Sequence, residues 1–295
     1  MTEISYRNGV LTVVIAGCLW SLMGLIIRLI GDASTWQILF YRSLGMAPVL
    51  FLYIAWRSKG HPFAAIARVG LPGSIGAFGL VFAFAGAIYA FQTTTIANAA
   101  FLFAASPLFT AVLAWPLLKE PVRRATWGAI LIALIGIILM VREGLAAGAM
   151  IGNLAALGSA IGFSAFTISL RWGRLKDMLP AVMLGGVLSV LVGGVILVAS
   201  GEGLSIAPGD AALAVTMGIV TLGGGMVAYT IGSRALPAAE LALLSLVEVM
   251  LAPVWVWLFL GETAGLATLI GGAVLAFALM FNALTGLRHR HTKVI

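Results

Sequence analysis

The stretch Ala238–Thr263, AAELALLSLVEVMLAPVWVWLFLGET, decides the fold. It is apolar over the length of a membrane-spanning helix, about 20 residues. One carboxylate, Glu248, lies near its middle, and Pro253 lies in its second half. A carboxylate at this depth costs several kcal/mol unless it is protonated, paired or facing a wet cavity. The stretch therefore predicts a transmembrane helix whose acid has a functional or a structural task.

A weaker copy of this stretch lies 142 positions earlier, at Ala97–Pro121. In that register Trp115 matches Trp257, and Glu120 matches Glu262. A chain that repeats a membrane helix together with its end signal is best explained by duplication. We therefore expect two related halves.

The composition places the chain in a membrane. Of 295 residues, 62% are hydrophobic and 9% are charged, and the mean hydropathy is +1.12. A soluble domain has about 25% charged residues, so this chain has too few charges to cover a water-facing surface. One cysteine, Cys18, excludes an intramolecular disulfide and a cysteine-based metal cluster. The sequence predicts an all-α integral membrane protein.

Ten transmembrane helices with short loops account for most of the chain. The predicted spans are Val10–Ile30, Trp36–Trp56, Val69–Phe91, Asn98–Leu118, Thr126–Val141, Met150–Leu170, Leu179–Ala199, Ala211–Gly232, Ala238–Leu260 and Ala264–Leu284.

The loops alternate in charge. Of the 17 Lys and Arg residues, 14 fall in segments on one side, while the other side carries acidic residues. Those acidic residues are Asp32, Glu143, Glu202, Asp210 and Glu262. Because basic residues collect in cytoplasmic loops, the pattern predicts that both termini are cytoplasmic. It also explains the net charge of +7 without a nucleic-acid partner.

The duplication divides the chain into residues 1–145 and 146–295, with five spans in each half. At an offset of 143, Ser21 pairs with Ser164 and Arg28 pairs with Arg171. An odd number of spans means that the second half enters the membrane in the opposite sense. Inverted repeats of this kind are typical of secondary transporters, which bind substrate near the midplane between the halves. We therefore expect two inverted five-helix repeats around a central cavity.

Short motifs in both halves carry a family resemblance. They are Gly17-Cys18-Leu19-Trp20-Ser21, Phe40-Tyr41-Arg42, Ser106-Pro107-Leu108-Phe109, Lys119-Glu120, Leu246-Val247-Glu248, Leu258-Phe259-Leu260-Gly261-Glu262 and Gly271-Gly272. With these motifs, the chain resembles the EamA family of the drug/metabolite transporter superfamily over nearly its whole length. It departs at Val249, where family members often have proline directly after the carboxylate.

The resemblance implies export of small metabolites, with amino acids the commonest class and the aromatic amino acid exporters one possibility. It implies alternating access in a bacterial-type inner membrane and a cavity lined mainly by the third, fourth, eighth and ninth spans. That lining favours Tyr89, Ser106, Tyr229, Ser245 and Glu248 as substrate-binding residues. Trp20 and Arg42 join them as polar or aromatic residues in the first two spans.

Several of these residues admit two interpretations. Glu248 couples protons, binds a cationic substrate group, or is a structural acid at a broken helix. Arg42 lies several residues inside its span, where arginine reaches the interface easily by snorkelling. It otherwise holds the halves together or binds a substrate carboxylate.

Other polar residues are expected to be structural. Glu120 and Glu262 each precede a helix opener and are predicted to cap the helix that follows. Asp32 is a candidate partner of Arg28. Pro107 and Pro253 predict helix breaks beside the cavity.

The sequence contains no catalytic constellation, no cofactor motif and no metal-ligand spacing, so we expect no enzyme, cofactor or metal. The expected partners are a small-molecule substrate and membrane lipids, and both monomer and homodimer stay open. Two alternatives to an active exporter remain. One is a facilitative permease for nucleosides, sugars or cationic drugs, and the other is a membrane enzyme acting on lipids.

Overall fold

Apolar helices make up most of the computed structural model, which describes residues 5–119, 122–146, 148–173, 177–236, 244 and 246–291. The first half contains α1 Tyr6–Leu29, α2 Thr35–Arg57, α3 Pro62–Ala67, α4 Gly70–Thr93, α5 Ile96–Phe103, α6 Ser106–Leu118 and α7 Arg124–Ala146. The second half contains α8 Met150–Trp172, α9 Leu179–Ser200, α10 Pro208–Met217, α11 Gly225–Gly232, α12 Leu246–Leu260 and α13 Leu266–His291.

Nine helical segments of the described chain are long and apolar enough to cross a membrane. A shorter apolar helix, Val247–Leu260, belongs to the predicted ninth span. The first part of that span, and with it Ser245, lies outside the described residues. Large apolar side chains such as Phe82, Leu131 and Val198 are exposed on the outside of the bundle. A surface of this kind suits hydrocarbon and supports a multi-pass membrane protein.

Local sequence explains the helix boundaries. Ser34 caps α2 by accepting a hydrogen bond from the backbone N–H of Gln37, whose side chain bonds back to Ser34. The Thr95 hydroxyl caps α5 by accepting a hydrogen bond from the backbone N–H of Asn98. The short helix α3, which the sequence analysis did not predict, starts with Pro62 at its first turn.

The fourth span is broken where Pro107 predicts it. Helix α5 ends at Phe103, and α6 starts at Ser106 with Pro107 in its first turn. The predicted break at Pro253 is wrong, because α12 continues through that residue to Leu260. A transmembrane helix tolerates proline where neighbouring helices support the freed carbonyl group.

The eighth span changes helix type without breaking. Helix α10 passes into a π-helical segment, Gly218–Gly224, which continues directly into α11. The segment contains Gly218, Gly223 and Gly224, and Gly225 follows it directly. Because these residues have no side chain, the backbone of the segment packs closely against α1 and α2. A Cβ on Gly218 would overlap the Arg42 carbonyl oxygen, and one on Gly225 would overlap the Trp20 indole.

The two halves of the chain pack against each other through several helix pairs. Helix α2 packs on α9, α4 on α8, and α7 on α13. Helix α1 packs on α11 and α12, while α8 packs on α5 and α6. Glycines again allow close approach, since a Cβ on Gly136 would overlap the Gly271 carbonyl oxygen. The core therefore lies between the halves.

Candidate functional site

Glu248 lies in the first turn of α12 and faces the protein interior. It shares a helix face with Ala252 and Val256, which follow at four-residue spacing and are both buried. Its backbone nitrogen lies beside Gly17 of α1, 3.6 Å from where a Cβ on that glycine would be. Twelve residues separate Glu248 from the end of α12. At 1.5 Å per residue this places the acid about 18 Å from that end of the helix, near the middle of a bilayer.

The Glu248 carboxylate is half-buried, and within the described part of the chain it makes no hydrogen bond and no ion pair. The structural interpretation of this residue, in which it bonds a neighbouring span, therefore has no contact to support it among those residues. An interior acid without a partner is available to a proton or to a ligand.

Arg42 is 2% exposed and lies on the buried face of α2. That face also carries Ile38, Met46 and Leu50, none of which is exposed. The prediction that Arg42 snorkels to the interface is therefore wrong. Its depth along the span suggested an easy route outward, but the side chain follows the buried stripe of its helix.

The Arg42 guanidinium lies over the ring of Phe84 on α4, 4.6 Å from the ring centroid. Its Nε and Nη2 atoms are buried and have no hydrogen-bond partner among the described residues. This cation–π contact gives neither nitrogen a hydrogen-bond acceptor.

Trp20 and Tyr229, two of the predicted residues, are in contact. Their ring centroids are 5.3 Å apart, and the rings are inclined by 40°. The Trp20 indole also lies against Gly225, where the π-helical segment ends. Its Nε1–H is buried and has no partner among the described residues, and the same is true of the hydroxyl group of Thr230, next to Tyr229.

Ser106 is buried at the start of α6. Its carbonyl oxygen accepts hydrogen bonds from the hydroxyls of Ser164 on α8, at 2.8 Å, and of Thr110, at 2.9 Å. The Ser164 hydroxyl therefore adds a contact from the second half to the first residue of this helix. The backbone of Ser106 thus joins the two halves.

Tyr89 is half-buried on α4, and its carbonyl oxygen accepts a hydrogen bond from Thr93. No contact in the described structure joins the Tyr89 ring to the other predicted residues. Ser245 lies outside the described residues, as do Glu120 and Pro121. The prediction that Glu120 caps a helix stays a prediction.

Glu262 caps a helix, but not the one predicted. One of its oxygens accepts a hydrogen bond from the backbone N–H of Ile96, at the start of α5, at 2.7 Å. The other pairs with Arg28 Nε at 2.9 Å, so Asp32 is not the described partner of Arg28. Arg28 also donates to the carbonyl oxygen of Thr94. In the folded protein, the free N-terminus of α5 lies within hydrogen-bond distance of Glu262.

The start of α13 has a different acid. Glu143 accepts hydrogen bonds from both the backbone N–H and the hydroxyl of Thr268, each at 2.6 Å. The sequence analysis placed Glu143 in a loop, whereas it lies inside α7. Both helix-capping acids therefore act on helices distant in sequence.

Two further polar contacts were not predicted. Trp255 Nε1 donates to the Ser21 hydroxyl at 2.8 Å and thereby joins α12 to α1. The side chains of Thr94, Asn98 and Asn153 form a buried cluster that joins α5 to α8. An amide inside an apolar span is the signal that marks Asn98 and Asn153. Phe84 gave no such signal, because one more aromatic in an apolar helix is unremarkable.

Ligand-sized space was also found away from the predicted residues. An apolar groove of about 430 Å³ lies between α2 and α9. Leu44, Pro48, Met183 and Leu191 are among its lining residues, and the predicted substrate-binding residues are not. Among the described residues, no group of three or more His, Cys, Asp or Glu side chains is placed to hold a metal ion.

Comparisons with known proteins agree with this architecture. The model of the EamA-like transporter family matches residues 7–142. Human solute carrier family 35 member G1 is 27% identical over 204 residues, which cover 62% of this chain and 54% of the relative. Its mouse counterpart is 28% identical over 138 residues, which cover 45% of this chain and 36% of the relative. The matched region thus spans about half or less of these relatives.

A solved crystal structure shares the fold. It superposes with a TM-score of 0.66 at 18% sequence identity and covers 94% of this chain and 98% of its own. At this identity the match shows the fold alone.

Proposed function

Because the EamA-like family model and the solute carrier matches support a membrane transporter, we propose that this protein exports amino acids by alternating access. The observation that carries the proposal is a pair of opposite charges inside the spans. Arg42 and Glu248 both face the interior, and neither has a charged partner among the described residues. An amino acid carries one group of each sign, so it complements both residues.

The packing of the halves supports alternating access. The first helix of each half lies against the fourth span of the other, α1 on α12 and α8 on α5 and α6. A serine contributes in both places: Ser21 accepts from Trp255, and Ser164 donates to Ser106. These reciprocal contacts are what two inverted repeats, residues 1–145 and 146–295, would make. Rocking of one half against the other would expose the interior to each side in turn.

Glu248 is the proposed coupling residue. Its carboxylate lies near the middle of the bilayer on an interior face, where a proton and a substrate ammonium group compete for the same acid. Exchange of one for the other would couple amino acid export to proton entry. Trp20 and Tyr229 lie on the neighbouring spans and would contact the substrate side chain.

The direction and the location rest on the family resemblance and on the charge pattern. Export from the cytoplasm through the inner membrane, with both termini cytoplasmic, follows from them as part of the proposal. The protein would work as a monomer or as a homodimer.

The test is counterflow in proteoliposomes that contain the full-length protein and a mixed pool of unlabelled amino acids. Uptake of one labelled amino acid class supports the proposal, and stimulation by a pH gradient supports coupling. If no amino acid exchanges while nucleosides, sugars or cationic drugs do, the substrate assignment is wrong. Exchange that is insensitive to the pH gradient and unchanged in Glu248→Gln would indicate a facilitative permease.

A membrane enzyme is the remaining alternative. It would convert added lipids without moving any solute, and the same vesicles would reveal this by a change in lipid composition.

A further inference from the structure

We infer that the free edge of the Arg42 guanidinium is a carboxylate-binding site, so that transported substrates must carry a carboxylate group. The inference rests on the proposed transport function and adds the chemical group that the site requires. Arg42 is 2% exposed, and its burial is set by a stripe of fully buried neighbours on α2. A cation in this position is costly unless an anion or several acceptors compensate it.

The described protein supplies little compensation. The centroid of the Phe84 ring lies 4.6 Å from Arg42 Cζ, and a cation–π contact stabilises a buried cation only modestly. The cost of moving a cation from water into the protein interior is larger, even after the protein relaxes around it. The aromatic ring therefore offsets only part of the cost.

No described acid pairs with Arg42. The ion pairs of Arg28 with Glu262 and of Arg57 with Asp177 join other described residues. The remaining interior acids are also accounted for: Glu143 bonds to Thr268, and Glu248 contacts no basic group. Among the described residues, no acid supplies a counter-charge for Arg42.

The identity of the two unpartnered nitrogens defines the ligand. Nε and Nη2 lie on the same edge of the planar guanidinium, and their N–H groups point in the same direction. This is the fork that binds a carboxylate through two parallel hydrogen bonds. The contact with Phe84 gives neither nitrogen a hydrogen-bond acceptor, so both hydrogen bonds of the fork are available to a ligand.

The backbone of Arg42 packs against the π-helical segment. Its carbonyl oxygen lies against Gly218, the first residue of that segment. π-Helical turns inside α-helices are frequent at functional sites. Ser43, whose buried hydroxyl also has no described partner, follows directly in the chain.

The experiment measures ligand-dependent thermal stability of the full-length protein in nanodiscs of zwitterionic lipid, which present no anionic headgroup. The probes are an equimolar mixture of L-amino acids, the corresponding mixture of their carboxamides, and sodium chloride. The variants are wild type, Arg42→Gln and Arg42→Lys, with Arg68→Gln as the control because Arg68 is an exposed arginine.

We expect the amino acids to raise the unfolding midpoint of wild type and Arg68→Gln by about 3 °C when present well above their Kd. The carboxamides should raise it much less, because they cannot accept two charge-assisted hydrogen bonds. Arg42→Gln should lose the difference between acids and amides. Arg42→Lys keeps the charge but not the fork and should bind at least about tenfold more weakly. If Arg42→Gln does not fold, Arg42→Lys tests the inference, and an unchanged preference for acids over amides in that variant would contradict it.

Equal stabilisation by acids and amides in wild type would overturn the inference, and so would an unchanged preference for acids in Arg42→Gln. Stabilisation by chloride equal to that by the amino acids would assign the site to an inorganic anion and also overturn it. The stability assay does not depend on transport. Stabilisation by carboxylates without counterflow would therefore contradict the proposed function but support the carboxylate site. Counterflow that does not depend on Arg42 would support the proposed function and contradict the site.

Discussion

Arg28 on α1 and Glu262, beyond the end of α12, form an ion pair with an N–O distance of 2.9 Å. The contact joins the first span of one half to the ninth span in the other. Glu262 also accepts from the Ile96 N–H, and Arg28 donates to the Thr94 carbonyl oxygen. The ion pair therefore links α1 and the end of α12 to the start of α5. In the orientation that the charge pattern predicts, this is the extracytoplasmic end.

Loss of the acid should destabilise the protein in steps. Glu262→Gln keeps an acceptor for Ile96 but loses the charge, whereas Glu262→Ala loses both. Because both side chains are partly exposed, we expect losses of about 1 kcal/mol for Gln and about 2 kcal/mol for Ala. Thermal unfolding checks the order, and Glu202→Gln on an exposed turn is the control. Equal losses in the two variants would contradict the expected order, because they would show that the hydrogen bond to Ile96 contributes nothing.

Glu248→Gln should fold normally and lose transport. The described carboxylate makes no bond that glutamine would break, so the unfolding midpoint should stay within about 1 °C. Loss of a charged contact to substrate should raise the half-saturating amino acid concentration at least about tenfold. Counterflow at several substrate concentrations measures this, and stimulation by a pH gradient should disappear. A large fall in stability with unchanged exchange would instead make Glu248 a structural acid.

The reciprocal serine contacts predict matched stability effects. Ser21→Ala removes the acceptor of the Trp255 N–H, and Ser164→Ala removes the donor to Ser106. Each should cost about 1 kcal/mol. Ser74→Ala is the control, since Ser74 is only half-buried and bonds within its own helix. Thermal unfolding of the three variants would contradict the expectation if Ser74→Ala cost as much as the other two.

The close approach of the π-helical segment predicts a contrast between two glycines. In Gly218→Ala the new Cβ would overlap the Arg42 carbonyl oxygen, which is backbone and cannot rotate away. We expect a loss of about 1–3 kcal/mol. In Gly128→Ala nothing lies within 4 Å of the new Cβ, and the better helix former should be neutral or stabilising. Equal unfolding midpoints for the two variants would contradict the packing of α2 on this segment.

The helices themselves followed from the sequence because a long apolar run has one stable form in a bilayer. The interior position of Glu248 was also predictable, because an acid in an apolar membrane span avoids the lipid and faces the protein interior. The burial of Arg42 was not predictable, because the position of a residue along a span does not indicate which face of the helix carries its side chain. Nor was the partner of Glu262, because helix ends near in space are distant in sequence. The same holds for Pro253. Whether a proline breaks a membrane helix depends on the residues packed around it, and these cannot be identified from a single sequence.

The most direct test of alternating access is reversible cross-linking of the Arg28–Glu262 contact. Arg28→Cys and Glu262→Cys are introduced together in a Cys18→Ser background, which removes the single native cysteine. A short bifunctional thiol reagent with a cleavable disulfide then joins the two positions, and counterflow of the amino acid found in the screen is measured before and after reduction. The account predicts that cross-linking abolishes exchange and that reduction restores it, while each single cysteine variant stays active after treatment. Full exchange through a completely cross-linked protein would contradict it.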